Sequence, residues 1–267
     1  MKRMIMLITA LSLAIMTASA QDWAKARLDK SPRHLEWVKV KNGKREVNSF
    51  LAFPEVKGKA TAIVVIHENR GLTDWVRSVA DELAEAGYIA IAPDLLSGMA
   101  PGGGNTTDFK SEDAATAGIY KLSPDQVTGD LNAVVDHVSK LPACNGKVVV
   151  AGFCWGGGQT FRLATNNKNI KAALSFYGPP PEKEEEIARI NCPVYGFYGG
   201  NDNRINAMIP KATEQMKKAG KTYEPVTYEG AGHGFMRSGE DPTANREADK
   251  KARDEAWKRV KDLLKKI

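Results

Sequence analysis

The pentapeptide Gly152-Phe153-Cys154-Trp155-Gly156 constrains this chain more than any other segment. It follows an apolar, β-branched run from Lys147 to Ala151, and it leads into a glycine-rich stretch of helical character. A strand that turns sharply into a helix lifts one side chain above the sheet, and glycines flank such a turn because its backbone is crowded. The pattern predicts a nucleophile elbow that presents Cys154.

A cysteine at this place suits acyl transfer. The positive end of the helix dipole stabilises a thiolate at a helix N-terminus. The backbone N–H of Trp155 would point at the same space and could hold a developing oxyanion. A small buried cysteine with a structural role is the alternative, and it is a common use of the residue. Because G-x-C-x-G is short, the elbow alone leaves both interpretations open.

Two further polar residues follow predicted strands. Asp202 comes after the strand within residues 192–200, and His233 comes after the strand 222–228, in a loop flanked by glycines. A lone aspartate or histidine in a turn usually has no catalytic task. Three residues in the order nucleophile, acid and histidine, each after a strand, are hard to explain as turns. We therefore expect a triad of Cys154, His233 and Asp202, with His233 as the base and Asp202 fixing its tautomer.

Four motifs carry a resemblance to a known family. They are G-F-C-W-G-G at the elbow, G-G-N-D at Asp202, G-A-G-H-G-F at His233, and the segment from Ile66 to Leu72 after the third strand. Over about residues 45 to 260 the chain resembles the dienelactone hydrolase family of α/β-hydrolases. The resemblance implies a carboxylic ester hydrolase of the carboxymethylenebutenolidase type, which forms a thioester on its cysteine and needs no metal or organic cofactor.

The resemblance also implies roles for two residues after the third strand. Glu68 would contact the resting Cys154 and take the thiol proton when substrate arrives. The N–H of Asn69 would be the second oxyanion donor beside Trp155. Without the family, His67 and Glu68 could be a polar pair at a strand end with no task, although a carboxylate at this edge is well placed for acid/base work.

One departure from the family concerns the clamp for an anionic substrate. Family members use two arginines, and Arg237, four residues after His233, matches one of them. Gly98 stands at the place of the other. Arg70 or Arg204 could replace it, or both could be solvated surface charges. Dienelactone itself is therefore an open question as a substrate, while cleavage of a small ester or lactone remains the expectation.

The first twenty residues predict a signal peptide. Lys2 and Arg3 precede an apolar run, residues 4–16, and residues 18–20 fit an A-x-A cleavage site. The run is shorter than the about 20 apolar residues of a membrane span, so we expect export to a periplasm or secretion without stable membrane insertion. Removing residues 1–20 from the 267-residue chain would leave 247 residues and lower the formal net charge from +6 to +4. That length suits one α/β domain over residues 21–267.

Composition narrows the partners and the cofactors. Basic residues are mixed with acidic ones and form no stripe with interleaved aromatics, so we expect no nucleic-acid partner. The expected partner is a small ester or lactone, and the expected assembly is a monomer or weak oligomer. The sequence has no C-x-x-C or H-E-x-x-H motif, which argues against a metal centre.

Two cysteines other than Cys154 raise the question of a disulfide. Cys144 and Cys192 both precede predicted strands, at the edge opposite the expected active site. A strand within residues 171–177 should separate them by about two spacings of ~4.8 Å, which exceeds the reach of a disulfide unless the loops bend inward. A bridge remains an open possibility in an oxidising compartment.

The alternation of strands and helices predicts an α/β-hydrolase fold. We expect a mostly parallel, twisted sheet of about eight strands, with antiparallel first strands from a hairpin over residues 35–54 and helices on both faces. The glycine-rich segment 97–111 is either a plain surface loop or a lid over the cleft. Two rival functions stay open: an esterase for larger or sugar esters on the same triad, and a non-catalytic ligand-binding or redox protein.

Overall fold

The computed structural model describes residues 22–267, so the predicted signal peptide, residues 1–20, lies outside the described residues. Within this range the chain forms eight strands and ten α-helices. The strands are β1 (Leu35–Asn42), β2 (Arg45–Ala52), β3 (Ala60–Ile66), β4 (Ile89–Pro93), β5 (Cys144–Phe153), β6 (Ile170–Phe176), β7 (Val194–Gly199) and β8 (Tyr223–Tyr228). The helices are α1 (Asp22–Asp29), α2 (Asp74–Glu85), α3 (Glu112–Ile119), α4 (Pro124–Ser139), α5 (Trp155–Asn166), α6 (Glu184–Ala188), α7 (Asn203–Asn206), α8 (Ile209–Lys218), α9 (Phe235–Ser238) and α10 (Glu247–Leu264).

All eight strands belong to one sheet, in the order β1-β2-β4-β3-β5-β6-β7-β8. The pairs β1/β2 and β2/β4 are antiparallel, and the other five are parallel. The predicted mostly parallel sheet with antiparallel first strands is confirmed. The carboxyl ends of β3 to β8 therefore meet at one edge, with β5 in the middle of the sheet.

The parallel strands are apolar on both faces because helices cover both. Every residue of β3 is buried, and its side chains alternate between two cores. Ile63 and Val65 pack on the side of α1, α2 and α10. Val64 and Ile66 pack on the side of α4, α5, α6 and α8. This two-sided burial is the reason that the central strands read as continuous apolar runs.

The ends of the helices show where local sequence signals hold. Ser123 caps α4 by accepting a hydrogen bond from the N–H of Gln126, and Pro124 occupies the first turn. Thr73 stands at the N-cap of α2 as its type predicts, but its side chain makes no capping bond. Residues 203–218 form two short helices, α7 and α8, and not one continuous helix. Pro210, in the first turn of α8, suits a new helix start rather than a helix interior.

The segment 97–111 has more structure than its glycines indicate. It contains two single-turn 3₁₀ helices, Pro101–Gly103 and Thr106–Asp108, and α3 follows it. The backbone N–H and the hydroxyl of Thr106 both donate to the buried carboxylate of Asp94, at 2.8 and 2.7 Å. The hydroxyl oxygen also accepts from the N–H of Leu72 at 3.0 Å. These bonds attach the segment to the sheet edge, and its role as a lid stays a prediction.

Two of the three cysteines lie away from the carboxyl-end edge. Cys144 and Cys192 are buried free thiols, and β6 lies between the strands that they begin or precede. Their separation by one strand is the geometry that the sequence predicted. Among residues 22–267, no helix combines the length and the apolar character needed to cross a membrane.

Candidate active site

The elbow is built from a strained residue and two crowded glycines. Cys154 lies between β5 and α5 with φ 55° and ψ −115°. A Cβ at Gly152 would lie 2.2 Å from the carbonyl oxygen of Gly156, and a Cβ at Gly156 would lie 2.4 Å from that of His67. Only glycine fits these two positions, because the atoms in the way are backbone. The tight contact holds the start of α5 against the end of β3.

The structure brings Cys154, His233 and Asp202 together at the carboxyl ends of β5, β8 and β7. The Nε2 atom of His233 lies 3.2 Å from Sγ of Cys154. Its Nδ1 atom lies 2.5 Å from Oδ2 of Asp202, a buried carboxylate that also accepts from the N–H of Ile205. A carboxylate on one ring nitrogen and a thiol on the other is the arrangement that activates a nucleophile.

The protonation of His233 follows from its two partners. Burial alone would lower the pKa of this imidazole, but its hydrogen bonds to Cys154 and Asp202 outweigh burial and raise the pKa to about 9. At neutral pH the ring is therefore protonated. An imidazolium at this distance places a positive charge 3.2 Å from the sulfur atom of Cys154.

Two backbone N–H groups in the segments around the elbow have no acceptor among residues 22–267. Trp155 is the first residue of α5, where an N–H has no partner inside the helix. Asn69 follows the end of β3, against which Gly156 packs. Neither N–H makes a hydrogen bond within residues 22–267. Two unpaired donors near a nucleophile can bind the oxyanion of a tetrahedral intermediate.

Glu68 and Arg237 form an ion pair at this edge. The Nε atom of Arg237, in α9, donates to Oε2 of Glu68 at 2.9 Å. The Glu68 side chain is 8% exposed and that of Arg237 is 31% exposed. The resemblance implied that Glu68 contacts the resting Cys154. In this structure Glu68 bonds Arg237, and Cys154 bonds His233 instead.

The other arginine candidates lie in different surroundings. Arg70 pairs with Glu112 of α3 at 2.8 Å, and Arg204 is exposed on α7. Gly98 has φ 76°, a conformation that strains other residues, and a Cβ there would lie 3.9 Å from Nη1 of Arg45. The guanidinium of Arg45 is already bound by a buried aspartate and two backbone carbonyls. Of the three candidate substrate-binding arginines, the structure brings Arg237 alone into contact with Glu68.

Tyr177 is a site residue that the sequence analysis missed. It follows β6 with φ 40°, and its ring packs edge-on against His233 with centroids 5.0 Å apart. Its buried hydroxyl has no hydrogen-bond partner within the described residues. Burial, and after it the carboxylate of Glu68, raises the pKa of Tyr177 well above 10. The signal was its place at the end of a strand, but an aromatic residue there usually belongs to the core.

A third, smaller apolar cluster lies beside the elbow. Leu96, Ala115 and Ile119 are buried together, and Phe109 and Trp155 pack against them. The segment from residue 96 to the end of α3 therefore packs against Trp155, the residue after Cys154. Within residues 22–267, no group of three or more His, Cys, Asp or Glu side chains is arranged to hold a metal ion.

The family model and the curated relatives point to the same family. The model of the dienelactone hydrolase family matches residues 47–267. The "Putative carboxymethylenebutenolidase" of Escherichia coli (strain K12) is 32% identical over 193 residues, which are 67% of this chain and 68% of that protein. The protein of the same name from Saccharolobus solfataricus is 28% identical over 263 residues, which cover 83% of this chain and 95% of that protein.

The fold is shared with solved structures. The crystal structure of a "Putative Dienelactone Hydrolase" from Klebsiella pneumoniae superposes with a TM-score of 0.75 at 23% identity, covering 88% of this chain and 99% of that one. At 23% identity the superposition shows that the two proteins share a fold. The eight-stranded sheet described above is thus that of an α/β-hydrolase.

Proposed function

Because this chain belongs to the dienelactone hydrolase family, whose members hydrolyse ester or lactone bonds, we propose that it cleaves a small ester or lactone through Cys154, His233 and Asp202. The observation that carries the proposal is the position of the His233 imidazole, 3.2 Å from the Cys154 sulfur and 2.5 Å from the Asp202 carboxylate.

The first half of the reaction transfers the acyl group to sulfur. The Cys154 thiolate attacks the carbonyl carbon, a C–S bond forms, and the electron pair of the C=O bond moves to oxygen. The N–H groups of Asn69 and Trp155 stabilise this oxyanion. When the intermediate collapses, the C–O bond to the alcohol breaks, and the leaving oxygen takes the proton of the His233 imidazolium.

The second half restores the enzyme. The thioester carries no charge on sulfur, so His233, now neutral and oriented by Asp202, can take a proton from water. The hydroxide attacks the thioester carbonyl, the C–S bond breaks, and the acid product leaves. The thiolate–imidazolium pair returns. These steps need no cofactor.

Substitution of the nucleophile tests the proposal. Cys154→Ala should lower the turnover of p-nitrophenyl acetate by about 10³-fold or more, as removal of a nucleophile does elsewhere. Cys192→Ala is the matched control, because burial raises the pKa of the Cys192 thiol to about 12 and leaves it unreactive. Mass spectrometry of the acid-quenched wild type should find an acyl group on the peptide that contains Cys154.

The outcomes separate the rival functions. Full activity of Cys154→Ala would refute the triad. Absence of both product burst and acylation in the wild type would instead favour a binding or redox protein on this fold. Faster turnover of long-chain or sugar esters than of acetates and lactones would favour the larger-substrate esterase.

Export and substrate class complete the proposal. The basic start, the apolar run and the A-x-A site of residues 1–20 support export to the periplasm or secretion. The guanidinium of Arg237 supports binding of a substrate that carries a carboxylate, although this guanidinium already makes a hydrogen bond to Glu68. Edman sequencing of the exported protein, expected to begin at Gln21, would test the first point.

A further inference from the structure

His67 is a buried histidine directly after β3, outside the triad. Its Nδ1 atom lies 2.7 Å from the carbonyl oxygen of Glu68, and its Nε2 atom lies 3.3 Å from the backbone nitrogen of Leu95. A carbonyl oxygen can only accept and a backbone N–H can only donate. The proton is therefore on Nδ1, and Nε2 is the acceptor. Burial lowers the pKa of His67, which favours this neutral form.

The bond to Glu68 acts on the proposed oxyanion hole. The carbonyl of Glu68 and the N–H of Asn69 belong to the same peptide group. A peptide group whose oxygen accepts a hydrogen bond is a stronger donor at its nitrogen, because bonds in series polarise one another. The N–H of Gly71 also donates to this oxygen, at 3.3 Å, which closes a turn over residues 68–71. His67 thus both orients and polarises the donor peptide.

His67 also contacts the segment that carries the other donor. Its ring stacks on the indole of Trp155, with centroids 5.6 Å apart and planes at 15°. Its carbonyl oxygen lies where a Cβ of Gly156 would clash. The same residue therefore fixes the end of β3 against the start of α5, where the N–H groups of Asn69 and Trp155 are found.

We propose that His67 is a positioning residue that orients and polarises the Glu68–Asn69 peptide group for oxyanion stabilisation. The inference rests on the proposed function, since an oxyanion forms only if Cys154 attacks a carbonyl group. His67 touches no reacting atom and acts through the N–H of Asn69.

Three substitutions separate the contacts of His67. An asparagine amide nitrogen can take the place of Nδ1, so His67→Asn keeps the bond to the Glu68 carbonyl. A glutamine amide reaches the place of Nε2, so His67→Gln keeps the bond from Leu95 and loses the one to Glu68. His67→Phe keeps the stacking on Trp155 and loses both hydrogen bonds. Thermal unfolding identifies any variant that does not fold.

Two reactions of the same thiol give the readout. Acylation of Cys154 by p-nitrophenyl acetate develops an oxyanion, whereas alkylation by iodoacetamide develops none at a carbonyl carbon. Direct loss of an oxyanion donor costs about 10²- to 10³-fold, so we expect the indirect loss in His67→Gln and His67→Phe to slow acylation by about tenfold to a hundredfold. His67→Asn should stay within about threefold of the wild type, and alkylation should be unchanged in all three.

A spectroscopic measurement tests the hydrogen bond from His67 to the Glu68 carbonyl without any enzyme turnover. The amide ¹⁵N resonance of Asn69 reports the hydrogen bond at the Glu68 carbonyl, and it should shift in His67→Gln and His67→Phe but stay near the wild-type position in His67→Asn. Equal loss of acylation in His67→Asn and His67→Gln would overturn the inference, as would alkylation that falls in parallel with acylation. If the Asn69 resonance shifts in the variants as described but the wild type cleaves no ester, the proposed reaction would be refuted and the positioning of the peptide would stand.

Discussion

The ion pair between Glu68 and Arg237 predicts how this protein discriminates between charged and neutral ligands. Arg237 donates through Nε to Glu68 at 2.9 Å, so a ligand carboxylate competes with Glu68 for the positive charge of the guanidinium. In Glu68→Gln the competitor becomes a neutral amide. The guanidinium stays charged, so the substitution removes only the ion-pair attraction of Glu68, which is about 0.2–1 kcal/mol for a partly exposed pair. Glu68→Gln should therefore bind a small carboxylate more tightly, by up to about fivefold.

Arg237→Ala should have the opposite effect. It removes the bond to the ligand carboxylate altogether, so the affinity for the carboxylate should fall by about tenfold to a hundredfold. It also leaves Glu68, 8% exposed, without its cation. Breaking a buried pair costs about 3–5 kcal/mol, and since Arg237 is 31% exposed we expect a value near 3 kcal/mol or below in the free energy of unfolding. The double variant should regain part of that stability, because a neutral amide tolerates burial better than a carboxylate.

Protection of Cys154 from iodoacetamide measures these affinities without turnover. Succinate serves as the anionic ligand and its diamide as the neutral one, at fixed pH and ionic strength. Arg189→Ala is a suitable control, because this exposed arginine follows α6 at the opposite edge of the sheet. Weaker succinate binding in Glu68→Gln would refute the competition. Equal losses for succinate and the diamide in Arg237→Ala would show that Arg237 supports the histidine loop instead.

Three further predictions follow from single contacts. The pKa of His233 is about 9 in the folded state against 6.5 for the free side chain, so its bonds to Cys154 and Asp202 contribute stability that is fully present below pH 6.5 and lost as the pH rises through about 9. Urea titrations of wild type and Asp202→Asn should show the Asp202 part of this contribution as a difference that shrinks over the same range. Gly156→Ala should lower the free energy of unfolding by about 1–3 kcal/mol or more, because the new Cβ meets backbone oxygens at 2.4 and 2.5 Å. In Gly158→Ala the nearest atoms to the new Cβ belong to a proline ring at 3.2 Å, so the loss in the same titration should be smaller. Asp94→Asn should destabilise the 3₁₀ turn that its carboxylate holds, by about 1.5–3 kcal/mol for a charge-assisted bond, and trypsin cleavage within residues 97–111 should become faster.

The sequence was sufficient to predict that Cys154, Asp202 and His233 lie together, because each residue follows a strand. In a parallel sheet the ends of β5, β7 and β8 share an edge, so chain order alone predicted that Cys154, Asp202 and His233 converge. The glycines on either side of Cys154 could also be predicted from the sequence, because a tight strand-to-helix turn excludes a Cβ at fixed positions.

The partners of long side chains could not be derived in this way. Glu68 and Arg237 are 169 residues apart, and their pairing depends on how two loops pack across the site. The structured segment around Thr106 was missed because its stability comes from the distant carboxylate of Asp94 and not from local propensity. The role of His67 was hidden as well, since the sequence shows neither its tautomer nor its bond to a backbone carbonyl.

The strained backbone of Cys154 has a consequence for the stability of the fold. Among residues 22–267, Cys154 and Tyr177 are the two non-glycine residues with positive φ, and both lie at the candidate active site. Strain of this kind costs about 1–3 kcal/mol per residue. Tyr177 recovers part of this energy through its buried ring, but Cys154 is half-buried, and a glycine would relieve its strain. Folding alone would therefore favour glycine at position 154, so the cysteine side chain is kept at a cost in the free energy of folding.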